Sequence, residues 1–201
     1  ATPETVKKLK ALGAEVTIEA GAGTAAAYTD EAYSEAGATI VPDAAAAFAA
    51  CDIVFKIQRP MSAEEGLDEL ALLRQGQTLM SPLGALTNRE LVQALASRGV
   101  TSFALELIPR ITRAQSMDIL SSQANLAGYK AVLLAANNYG RIFPQMMTPG
   151  GTLAPSRSFI MGVGVAGLQA IATARRLGSI VTATDVRPAT KEQVQSLGAK
   201  F

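Results

Sequence analysis

"SFIMGVGVAGLQAIATARRLGSIVTATD", residues 158–185, decides the fold. A short β-rich run over 157–161 enters Gly162-Val163-Gly164-Val165-Ala166-Gly167. An amphipathic helical pattern follows over 164–177, then a second β-rich run over 179–184 that stops at Asp185. Each glycine has its own task in such a turn. Gly162 makes the tight bend, Gly164 lets a ligand approach the backbone, and Gly167 lets the helix pack closely on the strand. The helix start then offers free N–H groups and the positive end of its dipole, which suit a pyrophosphate. A GxGxxG string alone is weak evidence. Here it follows a strand, opens a helix and has an acidic residue 18 positions after the third glycine, the context a dinucleotide site requires.

Asp185 favours NAD(H), because a carboxylate accepts from the ribose 2′-hydroxyl and repels a 2′-phosphate. Arg187, in "DVRP", points the other way, since a nearby arginine could receive a 2′-phosphate. Asp185 holds the strand-end position, so NAD(H) is the expected cofactor.

Working outward, one device repeats. A helical segment ends at glycine and a β-rich run follows, at Gly13, Gly37, Gly99, Gly178 and Gly198. Glycine tolerates the left-handed conformation that closes a helix. Helices are expected near 3–12, 30–36, 43–50, 63–73, 87–98, 114–137, 164–177 and 189–197. Strands are expected near 14–19, 38–41, 52–57, 77–81, 100–105, 157–161 and 179–184. Helices alternating with short apolar strands predict an α/β fold of two Rossmann-like, doubly wound parallel-sheet domains. The division is placed at 1–120 and 121–201. Thr87 with Glu90 reads as a capping box. Residues 137–156 lack periodicity and read as a connection or excursion. A chain that opens on a helix, with no strand before it, and stops at "GAKF" leads us to expect a fragment whose second domain is incomplete.

Composition narrows the function. The net charge is +1 with no basic cluster, which gives no footprint for nucleic acid. The longest apolar runs are too short to span a bilayer. Cys51 is the one cysteine and has no partner for a disulfide; a buried small residue beside a strand is its expected role. There is no histidine. That removes the commonest general base and the usual imidazole metal ligands, so no metal site is expected.

A second polar concentration stands in "RITRAQSMDILSSQ", residues 110–123. Thr112 with Gln115 reads as a capping box. Gln115, Asp118 and Ser122 also fall on one helical face, with Ser121 beside them. From the residues alone, a capped helix start and half of a binding site remain equally open.

"RITRAQSMDILSSQANLAGYKAV", "GVGVAGLQAIATARRLG" and "ATDVRPA" resemble, in order and spacing, the NAD(H)-binding domain of proton-translocating nicotinamide nucleotide transhydrogenase, of the alanine dehydrogenase/transhydrogenase family. "VFKIQRP" and "LMSPLGAL" fit its N-terminal half. The resemblance implies that Arg110, Gln115, Asp118 and Ser121 approach the nicotinamide and its ribose, Gln115 nearest the transferred hydride, with Arg110 and Asp118 fixing each other or the ring. It places Gly162, Val163, Gly164, Val165 and Gly167 at the pyrophosphate, and Asp185, Val186 and Arg187 at the adenosine ribose. It further implies NADP(H) on a partner domain, a proton-conducting membrane domain in the beta subunit, a homodimer, and a place on the cytoplasmic side of the bacterial inner membrane. Two alternatives stay open. One is an alanine dehydrogenase-like enzyme, in whose arrangement Lys56, with Arg59 nearby, would bind a substrate carboxylate. The other is a non-catalytic nucleotide-binding module. Alanine dehydrogenases carry a histidine where this chain has "LMSPLGAL". Hydride transfer between two nicotinamides needs no proton transfer at the reacting carbons, so the missing base suits a transhydrogenase.

Overall fold

The computed structural model describes all 201 residues. Contacts divide the chain into two compact units, Ala1–Pro109 and Arg110–Phe201. Residues 110–120, expected at the end of the first domain, therefore group with the second unit.

The first unit runs α1 (Pro3–Ala11), β1 (Thr17–Glu19), α2 (Asp30–Glu35), β2 (Thr39–Val41), α3 (Ala44–Ala50), β3 (Ile53–Phe55), α4 (Glu69–Leu72), β4 (Thr78–Ser81), α5 (Arg89–Ser97) and β5 (Thr101–Ala104). Two parallel sheets result, β1-β2 and β3-β4-β5. The strand period of two turns Leu79 and Ser81 of β4 inward. On α5 the helical period buries Leu91 and Leu95. These join Ala44, Phe48, Val54 and Val100 in one core. A smaller core of Val6, Tyr33, Ala36 and Ala38 lies beside β1 and β2. Cys51 is half-buried at the end of α3, its thiol directed at the Phe48 carbonyl, and burial raises its pKa.

The second unit runs α6 (Ile119–Asn138), β6 (Met146–Thr148), β7 (Gly151–Leu153), β8 (Arg157–Met161), α7 (Val165–Arg176), β9 (Ile180–Thr184) and α8 (Lys191–Ser196). β8 and β9 are parallel, in register from Arg157↔Ile180 to Met161↔Thr184. Lys200 bridges Thr182 in parallel sense on β9. The core gathers Val132 of α6, Ile171 and Ala174 of α7, Val181 and Ala183 of β9, and Val194 of α8. The α/β class with parallel sheets is as expected, and the five helix-ending glycines all take positive φ, between 68° and 96°.

Four local expectations are corrected. Residues 146–153 form an antiparallel hairpin closed by Pro149-Gly150, where irregular chain was expected. The helix expected over 63–73 shrinks to α4, because Gly66 takes a φ of 143° and Asp68 caps a fresh start at Ala71 N–H. Thr87 does not cap α5; its hydroxyl donates to the Gly84 carbonyl, and Asn88 accepts from Leu91 N–H instead. Thr112 and Gln115 form no capping box. They lie in a 3-10 stretch, Thr112–Met117, and Asp118 is the cap of α6.

Candidate functional site

The turn between β8 and α7 assigns its three glycines distinct physical tasks. Gly162 takes a φ of 92°, which only glycine adopts without strain. A Cβ on Gly167 would lie 1.9 Å from the Gly162 carbonyl oxygen, so helix and strand meet backbone to backbone. A Cβ on Gly164 would meet nothing within 4 Å. The turn is thus packed on its inner side and open at its tip. Val163 is buried beneath it, whereas Val165 is partly exposed and Val186 almost fully so.

The start of α7 is also chemically open. Helices α1 to α6 each have a side chain accepting from a first-turn N–H, namely Thr2, Thr29, Asp43, Asp68, Asn88 and Asp118. At α7 the cap is Gly164, and no side chain fills that role. Its first N–H groups thus have no side-chain cap, as is also the case at α8.

Asp185 follows β9 directly. Its Oδ2 accepts from Val163 N–H (2.7 Å) and Arg187 Nη2 (3.0 Å). Its Oδ1 accepts from Arg187 N–H (2.8 Å) and Nε (2.9 Å). All of its roughly four acceptor positions are therefore used. The Arg187 guanidinium, followed by the Val163 and Arg187 amides, holds the carboxyl well below the usual range. Arg187 also donates to the Val163 carbonyl. It is engaged by Asp185 and not presented as a free phosphate receptor.

The other polar group stands at the start of α6. Asp118 accepts from Ser121 N–H (2.9 Å) and from the Ser121 hydroxyl (2.7 Å). Arg110 donates to Ser121 Oγ (2.8 Å) and, at 3.4 Å, to Asp118 Oδ2. The Ser121 amide and hydroxyl, then the Arg110 charge, lower the Asp118 pKa. Arg110, Asp118 and Ser121 are thus brought together. Gln115 is exposed on the preceding 3-10 stretch and joins none of these bonds. The break at Asp118 (φ −74°, ψ 89°) removes the single helical face on which Gln115 and Ser122 were expected to meet. Ser122 bonds back to the Asp118 carbonyl.

Packing relates the two groups. α6 meets the start of α7 at Gly128 and Ala166. Farther along, Val132 and Ala136 pack with Ala170, Ile171 and Ala174. Beyond both helices, Gly178 lies against Pro144. The helices therefore run in the same direction, and α6 projects past the start of α7. From Gly128 back to Ser121 is about 10 Å of helix. Nothing in the local pattern announced this contact; the one available signal was a glycine inside a helix, which usually has a packing reason.

In the first unit, Lys56 is not free. Its Nζ lies 2.5 Å from Glu69 Oε1, and Glu69 Oε2 accepts from Met61 N–H at 2.8 Å. Arg59 is paired with Glu65 in the same way. A cleft of about 520 Å³ nearby is lined by Gln58, Arg59, Glu65, Pro82, Gly84 and Asn88.

Known proteins resemble this chain over its whole length. The family described as "Alanine dehydrogenase/PNT, N-terminal domain" matches residues 1–127, and "Alanine dehydrogenase/PNT, C-terminal domain" matches 131–201. An NAD(P) transhydrogenase alpha-subunit protein of Rhodospirillum rubrum is 62% identical over 200 residues, all of this chain and 52% of that one. Alanine dehydrogenase of Mycobacterium tuberculosis is 31% identical over 209 residues, again all of this chain and 52% of that one. A crystal structure of transhydrogenase from Sinorhizobium meliloti superposes with a TM-score of 0.94 at 53% identity, covering 100% of this chain and 58% of that one. The chain spans about half the length of the relatives it matches. With both halves of its length matched in order, the chain belongs to the alanine dehydrogenase/PNT family.

Proposed function

We propose that this chain is the NAD(H)-binding part of a proton-translocating transhydrogenase, which passes hydride between NADH and NADP⁺. One arrangement carries the reading. Within a single compact unit, an uncapped helix start at an open glycine turn packs beside α6, whose N-terminal end, ~10 Å farther along its axis, carries a hydrogen-bonded Arg110–Asp118–Ser121 cluster. Gly164 leaves room for a pyrophosphate, and the free N–H groups of α7 neutralise it. Asp185 would take the adenosine ribose, its exposed partner Arg187 yielding to the hydroxyls, with Val186 alongside. Arg110, Asp118 and Ser121 would hold the nicotinamide ribose and carboxamide. Gln115, whose side chain is uncommitted, would orient the ring. Bound NADH supplies the hydride; the chain's own residues position it and need move no proton at the reacting carbon.

NADP(H) belongs, in this proposal, to a partner domain, and proton conduction to a membrane domain of the beta subunit. No helix of this chain is long and apolar enough to cross a membrane. A homodimer on the cytoplasmic side of the inner membrane completes the proposed assembly. The amino-acid dehydrogenase reading is less well supported. Lys56 is committed to Glu69, and the chain has no histidine to act as base.

The test mixes the full-length subunit with an NADP(H)-binding partner domain and follows reduction of thio-NADP⁺ by NADH. Transfer is expected, and Gln115→Asn should slow it far more than it weakens NADH binding. Equal losses in both would sink the role given to Gln115. Tight NADH binding without transfer would favour a non-catalytic module, and alanine-dependent NAD⁺ reduction would favour the dehydrogenase.

A further inference from the structure

We propose that Gly128 is a positioning residue, setting how the Arg110–Asp118–Ser121 cluster stands over the glycine turn. The inference rests on the reading of the site given above and deepens it. A Cβ on Gly128 would lie 2.1 Å from the Ala166 carbonyl oxygen, 2.9 Å from its carbonyl carbon and 3.0 Å from its Cα. The neighbour is therefore backbone, which cannot swing aside. Ala166 is the second residue of α7 and sits beside Gly167, whose own Cβ position is blocked by the Gly162 carbonyl. Gly128, Ala166, Gly167 and Gly162 form a continuous line of backbone contacts from α6 through α7 to the end of β8.

Glycine is, after proline, the least favourable residue in a helix interior. Its place in the middle of the 20-residue α6 is explained by this contact. The consequence for the site follows from leverage. Residues 119–127 project beyond the crossing, and most of that segment is exposed. The crossing is thus the fulcrum on which the polar cluster is held. Any side chain at position 128 must lengthen the 2.1 Å approach to at least 3.0 Å. That moves the cluster by about an ångström or more, a misplacement that costs bound geometry heavily. The adenosine half of the site, built from Gly162–Gly167 and Asp185, meets Gly128 at Ala166, while its other contacts, Gly162 with Gly167 and Asp185 with Val163 and Arg187, are made within the β8–α7–β9 unit and do not depend on α6.

The test separates the two halves of the ligand. ADP engages only the turn and Asp185, whereas NADH also reaches the cluster. In the full-length subunit, Gly128→Ala should leave ADP affinity within about twofold. NADH affinity should fall about tenfold or more, towards that of ADP, as expected for an ångström-scale misplacement. Equal loss of both ligands, or unchanged NADH affinity, overturns the proposal. Wild-type protein that binds ADP but not NADH overturns the reading of the site itself, before any variant is made. Should Gly128→Ala not fold, Ala127→Gly decides. This exposed neighbour loosens the projecting segment without touching the crossing. It should weaken NADH about two- to fivefold and spare ADP, as expected from added backbone freedom, and unchanged NADH affinity would overturn the role.

Discussion

Removing the Glu69 carboxylate should be among the costliest single changes in the first unit. Glu69 is 5% exposed and accepts from Lys56 Nζ at 2.5 Å and from Met61 N–H at 2.8 Å. The Lys56 side chain is itself 20% exposed. Glu69→Ala leaves an ammonium and a backbone donor without their partner. Breaking a buried pair from one side costs about 3–5 kcal/mol. Lys56 retains some access to water, so about 2–4 kcal/mol is expected here. The more telling quantity is the coupling. Lys56→Met removes the charge that would be stranded, so the double variant Lys56→Met/Glu69→Ala should be less damaged than the two single losses added together. We expect a coupling of about 1–3 kcal/mol, within the range for residues in direct contact. Urea denaturation of the four proteins in the cycle measures it. A coupling below about 0.5 kcal/mol would mean that the two losses are independent. Lys56 would then have to count as available, and the objection to a carboxylate-binding lysine would fall with it.

Three further changes probe the turn and the strand ends. Gly167→Ala forces a Cβ to 1.9 Å from the Gly162 carbonyl oxygen and should destabilise the protein by about 3 kcal/mol, the upper end of overpacking costs. Gly164→Ala meets open space at an ordinary φ of −87° and should change stability by less than about 0.5 kcal/mol while weakening nucleotide binding; thermal melts and NADH titrations of the two variants give the comparison, and equal destabilisation would refute the division of labour. Glu106 accepts from Leu83 N–H (3.1 Å) and Ala85 N–H (2.9 Å). Burial works to raise its pKa, but the amides of Ala85, Glu106, Leu83 and Gly84 together outweigh it and hold the carboxyl below 4.5. A depressed folded value means that its contribution is complete above 4.5 and is lost as pH falls through the lower folded pKa. Glu106→Gln should therefore flatten the fall in melting temperature on acidifying below 4.5, and an unchanged acid profile would refute the assignment.

The fold was legible wherever local chemistry and tertiary packing made the same demand. Gly162 and Gly167 read correctly, as a positive φ and a backbone-to-backbone approach, because each role depends on the backbone immediately around it. The helix-ending glycines read correctly because each of these five helix ends closes through a residue at positive φ, which glycine takes without strain. Errors arose where two local devices competed for the same residues. At 87–90, Thr87 and Glu90 have the spacing of a capping box, but Gly84 draws the Thr87 hydroxyl into the preceding turn and Asn88 takes the cap. At 112–118, Thr112 and Gln115 lost to Asp118, whose carboxylate can cap α6 and also receive Arg110 and Ser121. The hairpin 146–153 carried its own signal in Pro149-Gly150, a two-residue turn, although its strands are too short to show alternation.

The site divides along the same line. The end proposed for adenosine is encoded in contiguous sequence, because strand, turn, helix and acid follow one another within one βαβ unit. The other end is not. Asp118 and Ser121 acquire a place relative to the turn only because α6 docks in parallel on α7, and that docking is specified by Gly128 and Ala166, 38 positions apart. A helical period from Gln115 to Ser122 suggested one polar face, but the helix begins after Asp118 and the period does not extend through the cap. The surviving cluster is smaller and more tightly bonded than that face. Arg110, Asp118 and Ser121 satisfy one another without a ligand, as Asp185 and Arg187 do at the opposite end. Both ends of the site are therefore pre-formed ion pairs with one exposed arginine each, 61% in both cases. A ligand bonding to Asp185 has an arginine to displace, because all of that carboxylate's acceptor positions are used, and the cost of the exchange lowers affinity; Asp118, with three donors, keeps one position for a ligand.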